Sequence, residues 1–294
     1  MKCSTNQNEY HDLQLHRHTH PQKNNITLRE TSDGLFGALV IEIDELDETI
    51  EDITYDSYLL IFQELQTHPH RNVIRFWNQV PNITAPLSSA ENIYHRFNAG
   101  RHRAFKSFYG DEFEHMNIPA ASAVGTCAMK LTIEFLAVAH PLAYIENKDQ
   151  VPSSQYSKRF GKIPPLFSRG VVYKNNDQKL LISSGTASVV GENSIHPDNL
   201  HEQIIQTIQN LRILGSPFNL QRYDIPYEFT LDDAITARVY YKHEIDRQVL
   251  EQTIPKFFPA DCKITYQHAA ICREELLVEM EAIFETQRRV VTQP

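Results

Sequence analysis

The chain has 294 residues, 41 % of them hydrophobic and 22 % charged, a globular composition with room for one large domain or two of ordinary size. A chain this long buries most of the surface its unfolded form exposes, so it needs no disulfide or structural metal to fold. The formal net charge of −9 argues against nucleic acid as the main partner, because phosphate binding needs a basic surface. It leaves open a small anionic ligand held by a few local arginines.

The four cysteines, Cys3, Cys127, Cys262 and Cys272, form no CxxC pair and have no zinc-type spacing, so reduced, packed thiols are expected. No run of about 18 apolar residues suggests a membrane span. The N-terminal stretch lacks the apolar core of a signal peptide, and a cytoplasmic protein is expected. His16, His18 and His20 alternate there, with His11 nearby. Metal ligands on a mobile segment carry a large ordering cost, so the tail is read as solvated, with no metal and no cofactor.

In chain order, residues 1–30 form a polar tail. Residues 35–43 read as a buried strand rich in branched side chains. Residues 56–66 read as a helix with Asp56 as its cap, 72–77 as a strand, 82–90 as a polar loop and 91–109 as a helix. Strands follow at 121–126 and 131–137. The Pro-, Ser- and Lys-containing stretch 147–165 is the linker candidate. It divides residues 31–146 from residues 166–294. In the second part, 180–184 reads as a strand. Residues 198–214 read as a helix with Ile204, Ile208, Leu211 and Ile213 on its apolar face and Gly215 as its stop. Ile235–Tyr241, Lys263–His268 and Leu276–Ile283 read as strands, and Glu244–Phe257 as a helix. This order is α+β, with helices on one face of mixed sheets.

Three short matches recur in the same order. Pro119–Val124 resembles Pro259–Ile264, Ile133–Ala137 resembles Val278–Ala282, and Ile74–Trp77 resembles Ala237–Tyr240. They predict two related halves with a cleft between them.

Several residues carry candidate chemistry. In the last strand Leu277, Glu279 and Glu281 share one face, and Val278, Met280 and Ala282 the other. The glutamate face is either solvated or turned into the cleft, where burial would let Glu279 hold a proton at neutral pH. In Asn98-Ala99-Gly100-Arg101-His102-Arg103 the glycine places the arginines at a turn. Arg169 follows Pro164-Pro165-Leu166-Phe167-Ser168. Arginine forks at these two places suit a dicarboxylate; the alternative for each is a surface ion pair. Ser184-Gly185-Thr186-Ala187-Ser188, after a buried strand, is a ligand approach or a tight turn. Cys272 is read as packing rather than as a nucleophile. No GxGxxG, GxSxG, HExxH, P-loop or EF-hand pattern is present.

The runs 180–188, 206–214, 231–240 and 276–282 resemble the YjgF/RidA fold, which the trimeric chorismate mutases share. The strings Arg75-Phe-Trp-Asn78, Phe97-Asn-Ala-Gly-Arg101, Pro119–Thr126, Pro165-Leu-Phe-Ser-Arg169 and Ser184–Gly191 together resemble the chorismatases, over residues 35 to 285. This resemblance implies an enzyme that protonates the enolpyruvyl group of chorismate and releases pyruvate. It implies Glu279 as proton donor, with Gly185 and Cys272 at positions that influence the product. Gly with Cys resembles the 3-hydroxybenzoate-forming members, some of which also release 4-hydroxybenzoate; the members that hydrolyse chorismate to a dihydroxycyclohexadiene carboxylate resemble Ala at both. Substrate contacts are expected from Arg169, Arg101, Tyr156, Asn98 and Thr186. The Tyr-Gly-Pro-Arg run of many members is replaced by Phe160-Gly161-Lys162-Ile163, which leaves one contact to Arg159 or Lys162. A RidA-like imine deaminase is the alternative within the fold, but Asp261 stands where those proteins carry an arginine. A non-catalytic ligand-binding module is the other alternative. Chorismate is the expected partner, with no nucleic acid and no membrane, for a monomer or small homo-oligomer.

Overall fold

The structure, a computed structural model, describes residues 26–31, 34–89, 91–111, 113, 118–175 and 178–286. The N-terminal histidines lie outside these. The first half runs β1 (Ile26–Glu30), β2 (Leu35–Glu42), α1 (Ile50–Leu65), β3 (Asn72–Pro81), α2 (Ile93–Tyr109), β4 (Ala120–Thr126) and β5 (Lys130–Val138). Its sheet has the order β1-β2-β5-β3-β4, and only β3 and β4 pair in parallel. Both helices cover one face, where Tyr58, Phe62, Phe97 and Phe105 pack with Phe76 and Phe135 of the sheet.

The second half runs β6 (Pro141–Ile145), β7 (Gly170–Asn175), β8 (Gln178–Ser183), the short strands β9 (Thr186–Ala187), β10 (Val189–Val190) and β11 (Asn193–Ser194), α3 (Leu200–Gly215), α4 (Pro217–Leu220), β12 (Ala234–Tyr241), α5 (Arg247–Thr253), β13 (Lys263–His268) and β14 (Val278–Thr286). Its main sheet has the order β13-β12-β14-β8-β7-β6, with β9 also paired to β14. Ile204, Ile208, Leu211 and Leu214 of α3 pack on Val278, Met280 and Ala282, the apolar face expected of the last strand. The architecture is α+β, two mixed sheets each with helices on one face.

The two sheets meet across their helix-free faces. One apolar cluster joins Ile74, Ala120 and Val138 to Val171, Tyr173 and Ile182; another joins Val124 to Ala187, Tyr240 and Ile271. Ser184 links the halves, because its Oγ accepts from the Ala121 N–H at 2.8 Å and donates to the Ser168 carbonyl.

The internal repeat is visible in the strand register. Arg75 stands opposite Leu136, and Arg238 stands opposite Glu281, as two of the three sequence matches require. The third is out of register: Ala120 faces Arg75, but Thr265, not Ala260, faces Arg238.

Several expectations need correction. The first helix begins at Ile50, not at Asp56, because Ile50, Ile53 and Thr54 continue its buried stripe about one and a half turns upstream. Glu30 belongs to a strand, not a polar tail. Pro141–Ile145 is an edge strand of the second sheet, paired with β7. Gly215 does not stop α3; it is the last helical residue, and a Cβ there would lie 2.2 Å from the Phe229 carbonyl oxygen. Cys127 is disulfide-bonded, and Cys262 and Cys272 are free thiols among the described residues. Absence of a CxxC pair does not exclude bonding between cysteines distant in sequence. Among the described residues no helix is long and apolar enough to cross a membrane.

Candidate active site

A pocket of about 410 Å³ opens at the junction of the halves. Its floor is the start of β14, at Glu279. That strand is anchored from behind by Gln203 of α3, which accepts from the Leu277 N–H at 2.8 Å and donates to the Glu275 carbonyl at 2.9 Å. Glu279 lies opposite Tyr240 on one side and Ala187 on the other, so period-two alternation sends its side chain toward the first half. It is 4 % exposed. The face that pattern alone left open is therefore a buried one.

The neighbours of Glu279 give it a protonated carboxyl. Glu281, two residues on and on the same face, is the charged member of the pair. It accepts from Trp77 Nε1 at 2.8 Å and from Ser122 Oγ at 3.1 Å, and is paired with Arg75. Arg238 Nη1 is 3.4 Å away. For Glu279, burial and the Glu281 charge outweigh the attraction of Arg75 and push its pKa to about 8. Two carboxyls in one site thus divide into an anion and a neutral acid.

Gly185 fixes where that acid sits. A Cβ at this position would lie 1.9 Å from Glu279 Oε1 and 3.1 Å from the Ser122 Cβ. The backbone here passes between β8 and β9, both partners of β14. The Gly185 N–H donates to the Ala121 carbonyl at 3.2 Å. The glycine is needed for close approach.

The mouth of the pocket is basic and aromatic. Arg169 Nη2 donates to the Tyr156 hydroxyl at 2.7 Å and to the Val151 carbonyl at 2.9 Å. Arg273 lies 3.9 Å from the Phe160 ring centre and donates to the Glu192 carbonyl at 2.8 Å. Arg159 also lines the pocket and lies 4.6 Å from the Phe160 ring centre. Three guanidiniums therefore gather in a chain of net negative charge. Behind Arg169, Glu146 approaches its Nε at 3.7 Å; burial raises the Glu146 pKa to about 7 against the pull of Arg169 and Arg222.

Of the residues singled out in the sequence, Glu279, Cys272, Gly185, Arg169 and Tyr156 line this one pocket. The Cys272 thiol is pushed to about 12, chiefly by burial and then by Glu279; at neutral pH it is a thiol, which favours packing over nucleophilic attack. Thr186 sits beside the wall, and its hydroxyl donates to the Ser184 carbonyl at 3.0 Å.

Arg101 and Asn98 do not join them. Both are buried inside α2, and the Arg101 guanidinium lies 4.9 Å from the Tyr58 ring centre. The reason is Gly100, read as a turn residue. It is helical and lets α1 approach, since a Cβ would lie 2.3 Å from the Glu51 carbonyl oxygen. Lys162 is also outside the lining and pairs with Glu91. The expected linker is an ordered wall: Ser153 Oγ donates to the Phe167 carbonyl at 2.7 Å, and Ser157 N–H donates to Glu192 at 2.7 Å.

Arg75, Trp77, Ser122 and Glu281 carry the electrostatics of the floor. The sequence placed Arg75, Trp77 and Ser122 in the repeats and in the strings that resemble the chorismatases, and Glu281 on a shared strand face, without pointing to a role for any of them. Arg273 had no signal beyond its place next to Cys272.

Residues 13–137 match the family model "Chorismatase FkbO/Hyg5-like, N-terminal". A 3-hydroxybenzoate synthase of Streptomyces hygroscopicus is 28 % identical over 235 residues, covering 78 % of this chain and 68 % of that protein. A chorismatase of Streptomyces rapamycinicus is 27 % identical over 230 residues, covering 77 % and 68 %. The crystal structure of a chorismatase matches with a TM-score of 0.82 at 24 % identity, over 89 % of this chain and 77 % of that one, a likeness of fold.

Proposed function

We propose that this chain is an enzyme of the chorismatase type, that it removes pyruvate from chorismate by protonating the enolpyruvyl methylene carbon from Glu279, and that the ring product is 3-hydroxybenzoate. The observation that carries this reading is the Glu279 carboxyl, buried against Gly185 at the pocket floor with a pKa near 8.

Protonating carbon is slow and needs a strong acid held against the reacting atom. Glu279 retains its proton at neutral pH and loses it to the methylene carbon as the double-bond pair forms the new C–H bond. The positive charge then left on the ether carbon and oxygen faces the new Glu279 carboxylate and the anionic Glu281, which are already oriented by the fold. Water adds at that carbon, the ether bond breaks and pyruvate leaves. Hydrolysis alone consumes one water. Forming 3-hydroxybenzoate also expels the neighbouring ring hydroxyl as water, so that outcome consumes none overall.

The substrate's two carboxylates are assigned to the arginines at the mouth. Arg169 is the principal anchor, with its orientation set by Tyr156, and Arg159 and Arg273 supply the second charge. An arginine fork offers two parallel bonds to a carboxylate. Arg169→Met is expected to lower kcat/KM roughly 10- to 100-fold, as loss of a charge-assisted contact of about 1.5–3 kcal/mol implies. Most of the loss should be in KM, and Arg169→Lys should recover only part of it. Unchanged steady-state kinetics would remove Arg169 from the site.

The product assignment rests on Gly185 and Cys272. Their resemblance to the 3-hydroxybenzoate-forming members has a physical counterpart, because an alanine at 185 cannot coexist with this position of the Glu279 carboxyl. Gly185→Ala is expected to displace the acid by about 1 Å, to lower kcat by roughly 10²-fold, and to shift the remaining product toward the dihydroxycyclohexadiene carboxylate. Chromatography reads the ratio. A variant with the parent rate and ratio would contradict this role.

Coupling pyruvate release to lactate dehydrogenase, with chromatographic identification of the aromatic product, tests the reading as a whole. Pyruvate with an equal amount of 3-hydroxybenzoate is the expected result. Chorismate bound without pyruvate above the uncatalysed rate would make the protein a binding module instead.

A further inference from the structure

At the outer edge of the first sheet three side chains of metal-binding type converge. Glu30 ends β1, and His68 and His70 lie in the turn between α1 and β3. One ligand atom from each falls within 4.8 Å of the other two. His70 Nδ1 is 3.5 Å and His68 Nε2 is 4.0 Å from Glu30 Oε1. In a tetrahedral site with bonds of about 2.0–2.1 Å, neighbouring ligand atoms stand about 3.4 Å apart, so side-chain shifts on the order of 1 Å close the set. The two rings are held in place. Their side chains are only 22 % and 17 % exposed. The His70 N–H donates to His68 Nδ1 at 3.1 Å, which orients that ring. His70 Nδ1 is buried and makes no hydrogen bond; the Glu30 carboxylate at 3.5 Å is its polar neighbour.

We propose that Glu30, His68 and His70 form a binding site for a zinc-class divalent ion that pins the edge strand β1 to the α1–β3 turn. Two imidazoles and one carboxylate suit zinc and its neighbours; calcium and magnesium prefer all-oxygen sets. The fourth position is left to water. Coordination through Nε2 moves the His68 ring proton to Nδ1 and gives up the bond from the His70 N–H. The ion takes no part in the pocket's chemistry. β3 spans ten residues, from Asn72 beside the histidines to Pro81, which leads to Thr84 in the pocket wall, and an extended strand of that length runs about 30 Å.

The test is titration of metal-free full-length protein with Zn²⁺ by calorimetry and with Co²⁺ by its visible d–d absorption, with Tm measured in parallel. One ion should bind per chain. His70→Ala and Glu30→Gln should each weaken it about tenfold or more and abolish the Zn²⁺-dependent rise in Tm. Because His16, His18 and His20 offer a rival donor set, the variant with alanine at all three must retain the site. No binding, or binding that persists in His70→Ala and vanishes with the three tail histidines, overturns the proposal. These readouts use no chorismate, so the proposal stands or falls apart from the assignment of the pocket.

Discussion

Glu279→Gln is expected to lower kcat for pyruvate release by about 10²–10⁴-fold, the usual contribution of a positioned general acid, while chorismate still binds. Glutamine keeps the shape and cannot supply the proton. The same substitution should change how stability depends on pH. The folded-state pKa is raised from 4.5 to about 8. Between those values the folded chain keeps a proton that the unfolded chain has lost. Stability therefore falls as pH rises through that window and levels off above it. The substituted amide does not titrate, so relative to the parent the variant should gain stability between pH 5 and pH 8. At about 1.4 kcal/mol for each tenfold change in proton affinity, a gain of roughly 2–4 kcal/mol is expected. Denaturant titrations at the two pH values read it. Activity within about threefold of the parent, or a stability difference independent of pH, would place the acid elsewhere.

Arg75→Met should produce the largest loss of stability. The Arg75 side chain is fully buried, and it holds the Glu281 carboxylate together with Trp77 and Ser122. Removing one partner of a buried pair leaves an uncompensated charge, at a cost of about 3–5 kcal/mol. In a protein of this size a fall in Tm on the order of 10 °C follows. Adding Glu281→Leu should restore most of it, because burial of the unpaired charge is what destabilises. Arg75 also lowers the Glu279 pKa, so in the single variant, assayed below its Tm, the acid should stay protonated to higher pH. A single variant as stable as the parent would mean that Arg238, 3.4 Å from Glu281, neutralises it alone.

How much of this was legible before the fold was known differs by element. β2, β5 and β12 carry dense branched or alternating residues, and α3 carries a clean apolar stripe, so local pattern and tertiary burial agree there. β1 and β6 are five-residue edge strands whose side chains are largely exposed or half-buried, and an edge strand has little apolar pattern to read. Gly100 shows the limit of local reading. A glycine serves equally at a turn and where two helices touch, and only the contact with α1 decides.

For the site, the deciding information was also tertiary. A Glu-X-Glu alternation is the same string on a solvated face and on a buried one. What makes Glu279 an acid is the first half lying across it, with Gly185 against its carboxyl and Arg75 and Trp77 occupied by Glu281. Arg159 and Arg273 come together around Phe160 because the stretch read as a linker folds back as a wall. Their sequence separation gives no hint of that meeting.

The central claim is that the proton held at Glu279 is the one delivered to carbon, and the pH dependence of kcat for pyruvate release from chorismate tests it most directly. The account predicts a rate that is sustained at neutral pH and falls above about pH 8, with the limb displaced upward in Arg75→Met. A rate that rises through pH 8 would mean that the ionised form of Glu279 is the active one, and would contradict the account.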